Sequence, residues 1–292
     1  MRVWGILWPG TRRGAIWRLV LVAILALGAD AFWLEPSSIR AVRHEIVLDR
    51  ADAGDIGTIR IAVVGDLHAG SAFIDADKIR RVVALANDAK PDLILLAGDY
   101  VHATYIGGAV PIEQSAPLLK SLHAPLGVYA VIGNHDRWQN AAHVAAVLER
   151  NAIPVLENEA VPIRRGTHTL WLAGIGDFYT LAAYPARALA AIPDGRAALC
   201  FTHSPDVFPE LPRTCLLTIA AHTHGGQVDL PLLGRLIVPS HYGQRYAAGL
   251  VHEDGRYLFV TTGIGTSIIP VRFRVPPEVS ILDVRPSSAG AR

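Results

Sequence analysis

The ten residues GVYAVIGNHD, Gly127 to Asp136, form an apolar, β-rich run that stops at Gly133 and then presents an amide, an imidazole and a carboxylate. A strand that ends this way sets polar groups at the carboxyl edge of a sheet, where ligand and catalytic sites of α/β proteins gather. Turn chemistry alone also explains Asn-His-Asp, because Asn and Asp tolerate bends and cap helices. Recurrence decides between the two readings. Val63-Val-Gly-Asp66-Leu-His68 and Leu95-Leu-Ala-Gly-Asp99 close two earlier strand-like runs, and Cys200-Phe-Thr-His203 and Ile219-Ala-Ala-His222-Thr-His224 close two later ones. Five of the chain's twelve histidines stand at these ends.

The rest of the chain is built to fold around them. Its 292 residues are 51% hydrophobic, enough for a substantial core and far from the disordered class. With 27 basic and 26 acidic residues and no basic run in the body of the chain, there is no electrostatic footprint for nucleic acid, and no nucleic-acid partner is expected. Cys200 and Cys215 both sit in apolar runs. Two cysteines supply neither a disulfide framework nor a thiolate metal site, so buried thiols are the first expectation. Pairing across adjacent strands in an exported domain is the alternative.

The first 36 residues differ in character. Arg2, Arg12, Arg13 and Arg18 precede the 11-residue uncharged run Leu19–Ala29, and no acidic residue comes before Asp30. That is the layout of an export signal or signal anchor. The stretch Leu19–Leu34 has 16 residues, short of the roughly 20 a span needs, and Ala29-Asp-Ala31 offers small residues to a peptidase. Spanning anchor and cleaved signal therefore both stand. Thr11-Arg-Arg-Gly matches a twin-arginine signal only in part, since Ala15 and Ile16 alone follow as apolar residues. The positive-inside rule keeps the arginines cytoplasmic and places the remainder outside.

Residues 37–292 read as one domain. Strand-like runs lie at 40–48, 58–64, 93–96, 128–132, 169–173, 197–202, 216–221 and 257–261, with helical segments at 75–87, 112–122, 140–151 and 181–191. Ile79, Val82, Val83 and Ala86 follow helical spacing behind Asp75, a ready cap. Alternating strands and helices followed by closely spaced strands predict mixed sheets flanked by helices.

The order D-x-H, GD, GNHD, a lone His and H-x-H resembles the calcineurin-like metallophosphoesterase superfamily over about Ile59 to Gly226. The resemblance implies an α/β (α+β) fold, a four-layer αββα sandwich of two mixed sheets with helices outside. It implies two divalent metal ions at the strand ends, the first held by Asp66, His68 and His224, the second by Asn134, His203 and His222, with Asp99 bridging. Close cations repel and need anions between them, which a carboxylate supplies and a neutral imidazole does not. Alternate residues of an extended strand end, as in Asp66/His68 and His222/His224, would reach different positions around the pair. Oxygen and nitrogen donors together suit manganese, iron or zinc. His135, in the family not a ligand, would protonate the leaving group while a metal-bridging hydroxide attacks phosphorus in line.

One departure stands out. Related phosphoprotein phosphatases carry GDYVD in the second block, where this chain has Gly98-Asp-Tyr-Val-His102. The carboxylate that orients the catalytic histidine is absent, leaving Asp136 or a backbone carbonyl to hold His135. The tail Tyr257–Ser267 and Pro270–Glu278 resembles a bacterial branch that includes membrane-associated phosphodiesterases and a UDP-2,3-diacylglucosamine pyrophosphatase. Its glycine turn Gly263–Ser267 is a candidate phosphate cradle or a plain strand connection. Arg272 and Arg274 are candidates for a second phosphate or head group, and Tyr242, Arg245 and Tyr246 for a substrate rim. A phosphodiesterase or pyrophosphatase at the membrane, acting on a lipid-linked or nucleotide-linked phosphoester, is the favoured function. The alternative is a catalytically inactive metal-binding scaffold of the same fold. A UDP-linked lipid would be met on the cytoplasmic face, in conflict with an outward-facing domain.

Overall fold

The computed structural model describes residues 12–287, apart from 50–52, 54, 103–107, 109 and 167. Arg2 and Thr11, part of the export layout, lie outside the described residues. The apolar run becomes α1 (Arg12–Ala29), which passes through a π turn (Asp30–Leu34) into α2 (Glu35–Ser37). Together they form one helix of 26 residues, Arg12–Ser37, long and apolar enough to cross a membrane. At about 1.5 Å per residue it measures about 39 Å, against a hydrocarbon core of about 30 Å. Its apolar side chains, Leu19, Leu25 and Trp33 among them, are exposed.

Eleven strands among the described residues build two mixed sheets. The first contains β1 (Arg40–Leu48), β2 (Ile59–Val64), β3 (Leu93–Leu96), β4 (Val128–Ala130) and β11 (Glu278–Pro286), in the order β1-β11-β2-β3-β4, with β11 antiparallel to β2. The second contains β5 (Glu159–Arg165), β6 (His168–Gly174), β7 (Ala198–Phe201), β8 (Cys215–Ala220), β9 (Gly249–Glu253) and β10 (Arg256–Val260). Its order is β5-β6-β7-β8-β10-β9, parallel in the middle and antiparallel at both edges.

Side-chain alternation sorts the core into layers. Ile61, Val63, Leu93 and Leu95 meet Leu170, Leu172, Leu199, Phe201, Leu217 and Ile219 between the sheets. Ala62, Val64, Ile94 and Leu96 turn the other way, onto α3 (Ala76–Asp88), α4 (Ile112–Leu119) and α5 (Asn134–Arg150). The outer face of the second sheet is covered by α6 (Pro185–Leu189) and the 3-10 turn Pro205–Glu210. This is the four-layer sandwich, and because the central strands are covered on both faces they read as continuous apolar runs.

The Asp75 carboxylate accepts from Lys78 N at 2.8 Å and starts α3 as its cap, with Ile79, Val82, Val83 and Ala86 buried. The helix expected from Asn140 is present: Asn140 is extended and caps it, accepting from His143 N, and an added helical stretch from Asn134 runs into it across this kink, so α5 as a whole spans Asn134–Arg150. Cys200 and Cys215 are not free thiols. They form a disulfide between the neighbouring strands β7 and β8, with Cα atoms 5.5 Å apart.

The base of the apolar helix is bound to the domain by specific contacts. Arg272 N donates to Ala31 O at 2.9 Å, and the Glu35 carboxylate accepts from Arg274 N and Val275 N. Lys78 Nζ donates to Pro36 O at 2.7 Å, and Trp33 meets Phe73 edge-on at 5.9 Å.

Candidate metal centre

At the carboxyl ends of β2, β3 and β8 the chain turns through unusual backbone. Asp66 (φ 52°), His68 (φ 49°), Asp99 (φ 56°), His222 (φ 72°) and His224 (φ 50°) all lie in the left-handed region. Such residues cost about 1–3 kcal/mol each and persist only where the surroundings over-determine them. The expected extended strand ends are thus absent. Left-handed turns, not strand alternation, bring Asp66 and His68 together on one side.

Glycines clear the space. A Cβ on Gly133 would lie 2.2 Å from Asp99 Oδ1, and one on Gly263 would lie 2.4 Å from Asp66 Oδ2. Only hydrogen fits in either place, which is why the strand leading to GNHD must stop at glycine.

The seven side chains proposed as ligands are buried and gathered in one cluster. Asp66, His68 and His224 bring ligand atoms within 4.8 Å of one another, as do Asp66, Asp99 and His203. His203 Nε2 lies 3.0 Å from Asn134 Oδ1, 3.2 Å from His222 Nδ1 and 3.3 Å from Asp99 Oδ2. Asp99 stands between the two halves, its Oδ2 also 3.6 Å from His68 Nε2. A third group of the same kind joins His68, Asp99 and His135, whose Nε2 is 4.0 Å from Asp99 Oδ2. His135 is therefore within reach of the cluster as well as beside it.

The donor set fits cations. Asp66 Oδ2 is buried with no hydrogen-bond partner, a costly state for a polar atom in a protein interior. His68 Nε2 and His224 Nε2 face each other at 3.1 Å, where only one of two neutral rings could donate. A divalent ion between such lone pairs satisfies both.

Electrostatics point the same way. Burial pushes the Asp66 carboxyl up to about 7, with Asp99 adding repulsion. Burial also lifts Asp99, but His203, His68 and His135 together outweigh it and hold that carboxyl well below its ordinary value. His68 is pushed down to about 3 by burial, His222 to about 3 by burial and the charge of His203, and His224 falls well below its usual value. Neutral imidazoles are the form that binds metal. Burial opposes a charge on His203, yet Asp99 overrides it and raises the imidazole to about 10.

Asp136 does not orient His135. Its Oδ1 accepts from Tyr100 N and Val101 N, and its Oδ2 from Asp99 N and Gly133 N, so it ties the GD and GNHD turns together. His135 N in turn donates to Asp99 Oδ1 at 2.9 Å. His102, where the relatives' carboxylate would be, stacks its ring 6.4 Å from that of His135.

Three sequence-based candidates move elsewhere. The N–H groups of Gly263, Ile264, Gly265 and Ser267 donate to Thr261 Oγ1, Gly65 O, Asp66 O and Gln227 Oε1, so the glycine turn is a strand connection and not a phosphate cradle. Arg272 is fully buried and donates to the carbonyls of Thr262, Gly265 and Val275, while Arg274 is tied through its backbone to Glu35. Arg245 and Tyr246 both bind Glu253 on the edge strand β9.

An aromatic rim escaped the sequence reading. Trp138 lies 4.8 Å from the His135 ring and 6.2 Å from Tyr179, which lies 5.0 Å from His222. Starting α5 at Asn134 would have set Trp138 one turn from His135; for Tyr179, in a loop, no local signal exists.

A profile of the family described as Calcineurin-like phosphoesterase matches residues 59–225. The phosphodiesterase YaeI of Escherichia coli (strain K12) is 31% identical over 86% of this chain and 90% of its own length. The uncharacterized metallophosphoesterase YkuE of Bacillus subtilis (strain 168) is 27% identical over 94% and 96%. The UDP-2,3-diacylglucosamine pyrophosphatase LpxG of Chlamydia trachomatis serovar D is 24% identical over 90% and 94%.

Proposed function

Because this chain belongs to the calcineurin-like phosphoesterase family of metal-dependent hydrolases, we propose that residues 37–292 form a phosphodiesterase or pyrophosphatase working at a membrane, with residues 1–36 as its membrane segment. Asp66, His68 and His224 would hold one divalent ion and Asn134, His203 and His222 a second, with Asp99 shared, and manganese, iron or zinc suits these donors. Bound there, the ions supply a water of lowered pKa and positive charge for the phosphoryl oxygens.

The protein's own groups do the rest. Asp136 fixes the two turns that carry Asp99 and His135, so the positions of the shared carboxylate and the imidazole are set before substrate arrives. Burial lowers the His135 imidazole pKa and Asp99 opposes the shift. His135, its Nε2 4.0 Å from Asp99 Oδ2 at the edge of the cluster, would place a proton on the leaving oxygen.

The observation that carries this reading is the convergence on Asp99 of side chains from four other separated segments, with the Asp66 Oδ2 atom among them buried and lacking any partner. The test is hydrolysis of bis-p-nitrophenyl phosphate with added manganese, beside elemental analysis of the purified protein. Asp99→Ala should lose bound metal and activity, and His135→Ala should keep metal while turnover falls roughly 10²–10⁴-fold. Wild-type rates no higher than those of both variants would leave only a metal-binding scaffold.

An extracytoplasmic domain is supported by the arginines that precede the apolar run Leu19–Ala29 and by the Cys200–Cys215 disulfide, which persists in oxidising compartments.

A further inference from the structure

Two loops leave the metal-site edge of the second sheet and carry an unusual surface. Leu232, Leu233, Leu236 and Ile237 on one, and Ile268 and Ile269 on the other, are all exposed. Between the loops runs a groove of about 390 Å³, walled by Val228, Leu230, Leu236, Ile237, Ile268 and Ile269 and reaching Thr223 and His224. The groove therefore opens directly onto the metal cluster.

Its chemistry is one-sided. No Asp, Glu, Lys or Arg lines it. The one side-chain amide, Gln227, already accepts from Ser267 N and donates to Ile269 O, and Thr223 Oγ1 donates to Ala247 O. The Ser267 hydroxyl is the remaining polar side-chain group apart from His224, too little to recognise a base, a sugar or a peptide backbone, whereas an alkyl chain asks only for apolar walls. Contiguous exposed apolar surface of this kind marks a place of contact.

The groove also has a neighbour. The chain runs from Ile269 through Val271 straight into Arg272, Arg274 and Val275, whose backbone N–H groups bind Ala31 O and the Glu35 carboxylate at the base of the apolar helix. The groove mouth and the membrane segment are thereby held on the same side of the domain.

We propose that this groove takes one acyl chain of a lipid phosphoester drawn from the bilayer in which α1 lies, leaving the phosphoryl group beside His224. The assignment rests on the phosphoesterase reading and names its substrate class. It also gives the exposed leucines and isoleucines of the two loops a shared task, lowering the groove mouth into the apolar layer.

The test uses the full chain in vesicles with a series of p-nitrophenyl alkyl phosphates bearing methyl, octyl and hexadecyl groups, which share one leaving group and differ only in the chain. The expected result is a kcat/KM that climbs with chain length through KM. In Ile237→Asp and Ile268→Asp, and in the milder Leu236→Asn, the hexadecyl-to-methyl ratio should fall roughly tenfold or more. A ratio that is flat along the series, or unaltered in all three variants, overturns the proposal. Energy transfer to a pyrenyl-acyl phospholipid from Trp138 and Trp171, with Trp4, Trp8, Trp17 and Trp33 of the amino-terminal segment replaced by phenylalanine, gives a second readout that needs no turnover. Transfer that is lost in the variants supports the groove, and equal transfer overturns it. Absence of methyl-ester hydrolysis together with groove-dependent transfer would refute the enzyme reading while leaving the acyl site standing.

Discussion

Gly133→Ala adds a single methyl group at the most crowded point of the site. The new Cβ would stand 2.2 Å from Asp99 Oδ1, a carboxylate oxygen held by His135 N, and 2.6 Å from the backbone atom Asp99 N. Relief to an ordinary contact requires a relative shift of about 1 Å, and overpacking of this kind costs about 1–3 kcal/mol of stability. The same shift moves the carboxylate at the centre of the cluster together with the His135 N–H bound to it. A 1 Å displacement of catalytic groups costs about 100-fold, so kcat/KM for bis-p-nitrophenyl phosphate should drop by about two orders of magnitude, equivalent to about 2.7 kcal/mol. The assay pairs steady-state kinetics with thermal melting and metal content, and Gly28→Ala, which meets nothing within 4 Å in α1, is the control. A folded Gly133→Ala protein with wild-type metal content and kcat/KM within threefold would show that clearance at this glycine does not set the position of Asp99.

Replacing both Cys200 and Cys215 with alanine should lower stability by about 3 kcal/mol, since the disulfide closes a loop of sequence separation 15. Wild-type melting should fall to the variant's value in reductant, and thiol titration of the denatured, unreduced protein should find no free thiol. Lys78, buried against Pro36 O, has its pKa pushed down to about 7 by burial and then by Arg272 and Arg81. Its folded pKa lies below the unfolded value, so the unfolded chain binds more protons between about pH 7 and 10 and stability rises with pH across that window. Lys78→Met should flatten that part of the pH–stability curve, measured by denaturant unfolding; parallel curves for the two proteins would contradict the assignment.

Much of this molecule is written locally. Helical spacing at Ile79, Val82, Val83 and Ala86 with Asp75 ahead of it defines α3, because a cap and a stripe are properties of thirteen neighbouring residues. The strands that end in Asp66, Asp99, His203 and His222 are legible because central strands bury both faces and show as unbroken apolar runs. The missed strands β5 and β9 are sheet edges with half-exposed faces, and β5 contains Pro162, tolerable only because it pairs on one side alone. For β11, slotted between β1 and β2 far from either in sequence, the signal lies in its partners.

The sequence showed the apolar helix and the glycine before Asn134, which depend on side-chain type and near neighbours, and its resemblance to a known family implied the cluster's membership. The tertiary structure decided the left-handed turns at five site residues, the commitment of Asp136 to four backbone amides, the union of Cys200 with Cys215, and the apolar groove beside His224. Those features arise where segments distant in sequence approach one another, and the free energy that selects them belongs to the contact, not to either segment alone.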